Sequence, residues 1–325
     1  MTAITRILVP TDFSVQSNEA YAFAKRIAER FAASLHLVHA FEDPVATAAI
    51  TGAMYAPLPA SLRDKMLRDI EQRLAERMPP DDRARMRGTT EIITGPTATT
   101  IVECAEATGS DLIVMGTHGR TGMAHLLLGS VAERVVRTAS CPVLTVRETP
   151  GRTIRRILVP TDFGATADAA LDHALLLRAR FGASLHLLHV LDDSFATEGL
   201  AAEAYFTEAP VLRTALLRDV QGRLAHRVAS LRSATRNEGG PELGHLDAEV
   251  LFGHGAPTIA EYARARDVDL IVMGTHGRTG VAHLVLGSVA QRLVRTAPCP
   301  VMTVRHVGSK WNGAPLNYDR EHLPA

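Results

Sequence analysis

Asp111–Ser130 reads DLIVMGTHGRTGMAHLLLGS, and Asp269–Ser288 reads DLIVMGTHGRTGVAHLVLGS; the first twelve residues of the two stretches are identical. Each is an apolar run, then a glycine-rich loop, then a helix start. Leu112–Met115 has no polar break, as expected of a strand covered on both faces. Gly116, Gly119 and Gly122 permit positive φ and let a ligand approach the backbone. After Gly129 and Ser130, VAERVVRTA places apolar residues at helical spacing. A strand, a glycine loop and a helix N-terminus together offer unpaired N–H groups and a favourable dipole to an anion. The spacing G-x2-G-x9-G-S is met by Gly116, Gly119, Gly129 and Ser130, and again by Gly274, Gly277, Gly287 and Ser288.

The repetition extends outward from these loops. RILVPTDF occurs at Arg6–Phe13 and at Arg156–Phe163, so Asp12 and Asp162 stand 150 residues apart. Gly116 and Gly274 stand 158 apart, which puts a net insertion of eight residues between the two motifs of the second copy. The polar, glycine-rich, strand-poor stretch Ser230–His245 is the expected place for it. The domain map is then 1–147 and 155–306, with a linker at 148–154 and a tail at 307–325 that has no clear period.

Within the first repeat, a strand is predicted near 5–10 and a helix near 16–32. That helix carries Ala20, Phe23, Ala24, Ile27, Ala28 and Phe31 on one face. Ser34–Ala40 reads as the second strand, 59–78 as a charged amphipathic helix, and TTEIIT at 89–94 as the third strand. A helix near 97–108 follows Gly95-Pro96, then the glycine-loop strand, the last helix and a fifth strand at Pro142–Val146. Strands alternating with helices predict an α/β fold, a parallel doubly wound sheet with right-handed crossovers, in each repeat.

Composition narrows the function. A chain of 325 residues suffices for two domains that each bury a core, and 46% hydrophobic with 22% charged residues is ordinary for a soluble protein. The formal net charge is zero, and no basic stripe is interleaved with aromatics, so neither nucleic acid nor an anionic membrane is an expected partner. Cys104, Cys141 and Cys299 form neither a disulfide framework nor a C-x2-C metal spacing; Cys141 and Cys299 are repeat equivalents and read as small core residues. There is no signal-like apolar region and no run long enough to span a bilayer, so the cytoplasm is the expected compartment.

The doubled G-x2-G-x9-G-S, together with RILVPTDF, the LHLVHA strand and the closing CPVLTVR, resembles the nucleotide-binding signature of the universal stress protein family in its tandem form. The resemblance covers nearly the whole chain. It implies two Rossmann-like, five-stranded parallel sheets of the adenine nucleotide alpha hydrolase-like kind, each with strand order 3-2-1-4-5. Ligands of such sheets bind where the strand order reverses, which brings Asp12 beside the Gly116 loop and Asp162 beside the Gly274 loop. A carboxylate repels phosphate, so these aspartates should face adenosine and accept from a base amine or sugar hydroxyl. The bland reading is that Asp12 merely caps its loop or the first helix.

The resemblance further implies adenine packing near Ala40 and Val190, and near Met115 and Met273. It implies ribose and phosphate contacts from Gly116, Gly119, Gly129, Ser130 and Val131, and from Gly274, Gly277, Gly287, Ser288 and Val289. Met115 and Val131 also suit plain core packing. Arg120 and Arg278 can reach phosphate as bidentate donors or stay solvated. The ligand is then ATP, with Mg²⁺ held by its phosphates. Edge strands near Pro142–Val146 and Pro300–Val304 would pair the halves as an intramolecular pseudo-dimer, with association of two chains left open.

His118 and His276 sit in the loops, and His39 and His189 at the ends of the second strands; the loop histidines have no carboxylate partner at a defined spacing, so contact with phosphate or loop structure is expected of them rather than general-base work. No G-x4-G-K-[ST], no G-x-G-x-x-G opening a first βα turn and no G-x-S-x-G elbow occurs. The charged helices near 59–78 and 211–232 read as solvated faces. The expected function is an ATP-binding, nucleotide-dependent stress-response regulator with at most slow hydrolysis. The alternatives are an adenylate-processing enzyme working through His118 and His276, or an interaction protein independent of nucleotide.

Overall fold

The computed structural model describes residues 4–42, 59–117, 128–147, 153–192, 209–237, 245–275 and 286–305. The first half runs β1 (Arg6–Pro10), α1 (Val15–Phe31), β2 (Ser34–Phe41), α2 (Ala60–Arg77), α3 (Pro80–Arg85), β3 (Thr89–Thr94), α4 (Thr97–Ala107), β4 (Leu112–Gly116), α5 (Ser130–Thr138) and β5 (Val143–Val146). The second runs β6 (Arg156–Pro160), α6 (Ala165–Phe181), β7 (Ser184–Leu191), α7 (Ala209–Asn237), β8 (Leu246–Phe252), α8 (Gly255–Ala265), β9 (Leu270–Gly274), α9 (Ser288–Thr296) and β10 (Val301–Val304).

Local chemistry sets these boundaries. Helix α1 starts at Ser14, whose hydroxyl accepts from the Ser17 amide, and stops at Ala32, which turns left-handed at φ 53°. Its inward face is the stripe Ala20, Phe23, Ala24, Ile27, Ala28 and Phe31, all buried. Ile7, Leu8, Leu112 and Ile113 are fully buried in the central strands, as an apolar run sandwiched by helices must be. Helices α1, α2, α6 and α7 cover one face of the sheet. Helices α4, α5, α8 and α9 cover the other.

The strands lie in one ten-stranded sheet, β3-β2-β1-β4-β5-β10-β9-β6-β7-β8. Pairing is parallel within each half. The exception is the seam, where β5 and β10 run antiparallel with Leu144 opposite Met302. The halves meet at the edges the sequence offered, within Pro142–Val146 and Pro300–Val304, so that the two five-stranded parallel sheets join into one mixed sheet. Two buried hydroxyls sew the seam, Thr145 donating to the Val301 carbonyl and Thr303 to the Val143 carbonyl, each at 3.1 Å.

Around the seam, residues meet their own repeat equivalents. Phe31 and Phe181 stand 6.5 Å apart. Arg30 lies over Phe181 and Arg180 over Phe31. Glu133 accepts from the Gln291 side chain at 3.2 Å. Reciprocal contacts of this kind describe an approximate two-fold axis inside one chain.

Two further differences from the sequence reading are local. The stretch from Ser230 was expected to be irregular, yet α7 continues to Asn237, anchored by the buried Leu231. Leu74 and Leu224 remain 150 apart while Thr89 and Asp247 pair alike at 158, so the insertion falls after Leu224 and lengthens α7. The short helix α3 was not foreseen. Pro80 opens it, Asp81 and Asp82 fill its first turn, and Asp82 is gripped by Lys25 at 2.5 Å and Arg85 at 2.6 Å. Among the described residues, no helix is long and apolar enough to cross a membrane.

Candidate functional site

In each half the chain moves outward from β1 to β3 on one side of the sheet and from β4 to β5 on the other, so the order reverses between β1 and β4. The second half does the same between β6 and β9. The carboxyl ends of these strands form the crevice where a doubly wound sheet takes its ligand. The residues there are Thr11–Ser14 with Gly116, Thr117, Gly129 and Ser130, and Thr161–Gly164 with Gly274, Thr275, Gly287 and Ser288.

The turn after β1 is tied by its own side chains. Thr11 Oγ accepts from the Phe13 amide at 3.0 Å, and Asp12 Oδ1 accepts from the Ser14 amide at 3.0 Å and hydroxyl at 2.6 Å. The loop-capping role of Asp12 is therefore real. The second copy repeats it with fewer bonds: Phe163 donates to Thr161 Oγ, and the Gly164 amide donates to Asp162 Oδ1 at 2.9 Å. The other oxygen, Asp162 Oδ2, is buried and has no hydrogen-bond partner among the described residues. An unsatisfied buried carboxylate oxygen costs about 1–3 kcal/mol or more, and a hydroxyl or amine donor would remove that cost.

These turns force Phe13 to φ 65° and Phe163 to φ 62°, a left-handed conformation that a bulky residue rarely adopts. Such strain costs roughly 1–3 kcal/mol and gathers at functional sites. Each ring has a histidine and an arginine against it. Phe13 stacks on His39 at 4.8 Å with the Arg73 guanidinium at 4.1 Å. Phe163 lies 5.0 Å from His189 with Arg223 at 4.2 Å. His39 and His189 donate from Nδ1 to the Thr11 and Thr161 carbonyls at 2.7 Å, so they hold the turn. Arg73 and Arg223 were missed in the sequence, where their helices read as solvated faces; their 150-residue spacing was the available signal.

The leading glycines of the two motifs serve packing. Neither Gly116 nor Gly274 has positive φ. A methyl group on Gly116 would lie 3.1 Å from the Gln16 carbonyl carbon, and one on Gly274 would lie 2.8 Å from Thr166 Cβ. The first turn of α1 or α6 therefore rests directly on the strand end, which corrects the conformational argument for these positions.

Gly129 and Gly287 stand at the N-caps of α5 and α9, with no side-chain cap. Each donates its backbone N–H to the Thr117 or Thr275 carbonyl oxygen at 2.8 Å. The first-turn amides, beginning at the exposed Ser130 and Ser288, thus have no helical acceptor. The two ends differ in charge, because α5 has Glu133 in its first turn and α9 has no acid there.

Met115 and Met273 are 5% exposed and pack in the core on the α4 and α8 face. Ala40, Val131 and Val190 border the same cluster half-buried, while Val289 is 36% exposed. Gly119, Arg120, Gly277 and Arg278, with His118 and His276, lie outside the described residues. Burial drives the Cys141 thiol up to about 12, and Cys299 is 2% exposed; both suit near-core packing.

Comparison with known proteins agrees with this architecture. A universal stress protein of Methanocaldococcus jannaschii is 36% identical over 46% of this chain and 82% of its own length. One from Mycolicibacterium smegmatis is 27% identical over 92% of this chain and 96% of its own. The crystal structure of a universal stress protein from Archaeoglobus fulgidus superposes with a TM-score of 0.63 at 20% identity, covering 94% of this chain and all of that one. The profile of the universal stress protein family matches residues 3–147 and again residues 153–305. The chain belongs to the universal stress protein family and carries that family's domain twice.

Proposed function

We propose that each half binds one adenine nucleotide, ATP with Mg²⁺ held by its phosphates, in the crevices between β1 and β4 and between β6 and β9. The protein then acts in the cytoplasm as a nucleotide-dependent stress-response regulator with at most slow hydrolysis. The two working units are 1–147 and 155–306, joined by 148–154 and followed by the tail 307–325.

The observation that carries this reading is Asp162 Oδ2, buried at the carboxyl end of β6 and unpaired among the described residues. A ribose hydroxyl or base amine is the donor it lacks. The uncapped N-termini of α5 and α9 suit the phosphates, with Gly119, Arg120, Gly277 and Arg278 as the loop residues assigned to them. The chain has no G-x4-G-K-[ST] lysine to drive fast hydrolysis. Regulation would follow if ATP binds one conformation or partner-competent state better than another, by the difference in the two affinities.

The test is calorimetric titration of ATP-Mg²⁺ into the full chain and into Gly119→Val/Gly277→Val. The reading expects binding to disappear in the double variant while circular dichroism and melting stay the same. Undiminished binding would contradict it.

A further inference from the structure

We propose that His36, Glu91 and Cys104 form a site for a divalent transition ion of the zinc type, at the amino end of the first half's sheet and away from the nucleotide crevice. His36 lies early in β2, Glu91 early in β3, and Cys104 in the last turns of α4 packed across them. Their ligand atoms all lie within 4.8 Å of one another. His36 Nε2 is already 3.0 Å from Glu91 Oε2, and Nδ1 is 2.6 Å from Thr89 Oγ. The Thr89 contact fixes the ring with Nε2 towards the carboxylate, as the outer partners of metal-bound histidines do.

Zinc bonds of 2.0–2.3 Å in a tetrahedron separate the ligand atoms by about 3.3–3.7 Å. The closure required is on the order of 1 Å, within reach of the side-chain torsions of Glu91, which is half exposed, and Cys104. Nitrogen, oxygen and sulfur donors select zinc-like ions over Mg²⁺ or Ca²⁺. Three protein ligands leave a fourth position to water.

The second half supplies an independent argument. The repeat equivalents of these residues are His186, Glu249 and Tyr262. There Glu249 Oε1 accepts from the Arg266 guanidinium at 2.7 Å and from the Tyr262 hydroxyl at 3.0 Å. That carboxylate has a built-in cation. In the first half, Thr108 replaces Arg266 and Cys104 replaces Tyr262. The imidazole and carboxylate are kept, the guanidinium is gone, and a thiol stands in its neighbourhood. Among the described residues no arginine or lysine pairs with Glu91. A metal ion supplies the missing positive charge and takes the thiolate as ligand, releasing the thiol proton.

The experiment titrates the chelator-treated full chain, without nucleotide, with Co²⁺ followed by absorption and with Zn²⁺ followed by calorimetry. The expected result is one ion per chain with a thiolate-to-cobalt charge-transfer band. Cys104→Ser should abolish the band, and Glu91→Gln should weaken zinc binding by about tenfold or more. Cys104→Tyr/Thr108→Arg transplants the second half's arrangement and should take no ion while melting as a folded protein. No thiolate band in the unaltered chain, or a band and affinity that survive Cys104→Ser, overturns the proposal.

Discussion

At the residue scale, Asp162 concentrates the account of the crevice. One oxygen caps the turn and the other is buried without a donor among the described residues. Asp162→Ala should lower ATP affinity at the second site by about tenfold, the equivalent of 1.4 kcal/mol. It should not lower the melting temperature without ligand, since it also removes a buried unpaired oxygen; calorimetry and thermal denaturation check the two halves of that statement. Asp172 makes a separate, pH-dependent prediction. Burial on α6, reinforced by Asp168 and partly offset by Arg227, raises its carboxyl to about 6. The folded state therefore holds this proton more tightly than the unfolded state, and the charged form costs stability above pH 6. That cost fades as pH falls through 6 towards the ordinary carboxylate value. Asp172→Asn should stabilise the protein at pH 8 by roughly 1–2 kcal/mol after allowance for partial exposure, with the gain gone near pH 4 in urea titrations. The repeated PTDF made the two aspartates legible in the sequence. Nothing in it announced that Phe13 and Phe163 turn left-handed, because phenylalanine has no preference for that region and the turns tied by Thr11, Asp12, Thr161 and Asp162 place them there.

At the scale of elements, periodicity carried most of the information. The buried stripe of α1 and the unbroken apolar run Leu112–Met115 are short-range patterns, and they appear in the structure where the pattern put them. The glycines were legible as positions but not as causes. Their need for space comes from Gln16 and Thr166, residues about a hundred positions away in sequence that no local pattern connects. Gly274→Ala forces a methyl group to 2.8 Å from Thr166 Cβ, whereas Gly116→Ala meets its neighbours at 3.1 Å. Overpacking of this kind costs about 1–3 kcal/mol, so Gly274→Ala should lower stability the more of the two in denaturant titrations. The extended α7 was hidden for another reason. Leu231 gives its polar continuation one buried anchor, and the breakers Gly239 and Gly240 come only after Asn237.

At the scale of the whole molecule, the antiparallel β5–β10 seam turns two sheets into one. The repeat and the two pairing edges were visible in the sequence, but the register that sets Leu144 opposite Met302 is a long-range event that leaves no local trace. Near the two-fold axis, Glu133 faces Gln291 and accepts its amide at 3.2 Å. An exact repeat would set two carboxylates against each other there. Gln291→Glu should therefore destabilise the chain by roughly 0.5–1 kcal/mol at low salt, with the loss shrinking as added salt screens the pair, read by melting at two ionic strengths. The doubled fold also means two crevices per chain. The central claim is tested most directly by denaturing the purified full-length protein, prepared without added nucleotide, and counting the small molecules released by chromatography and mass spectrometry. The account predicts an adenylate, ATP foremost, approaching two per chain. Protein that releases none and then takes up no ATP-Mg²⁺ on titration would contradict it.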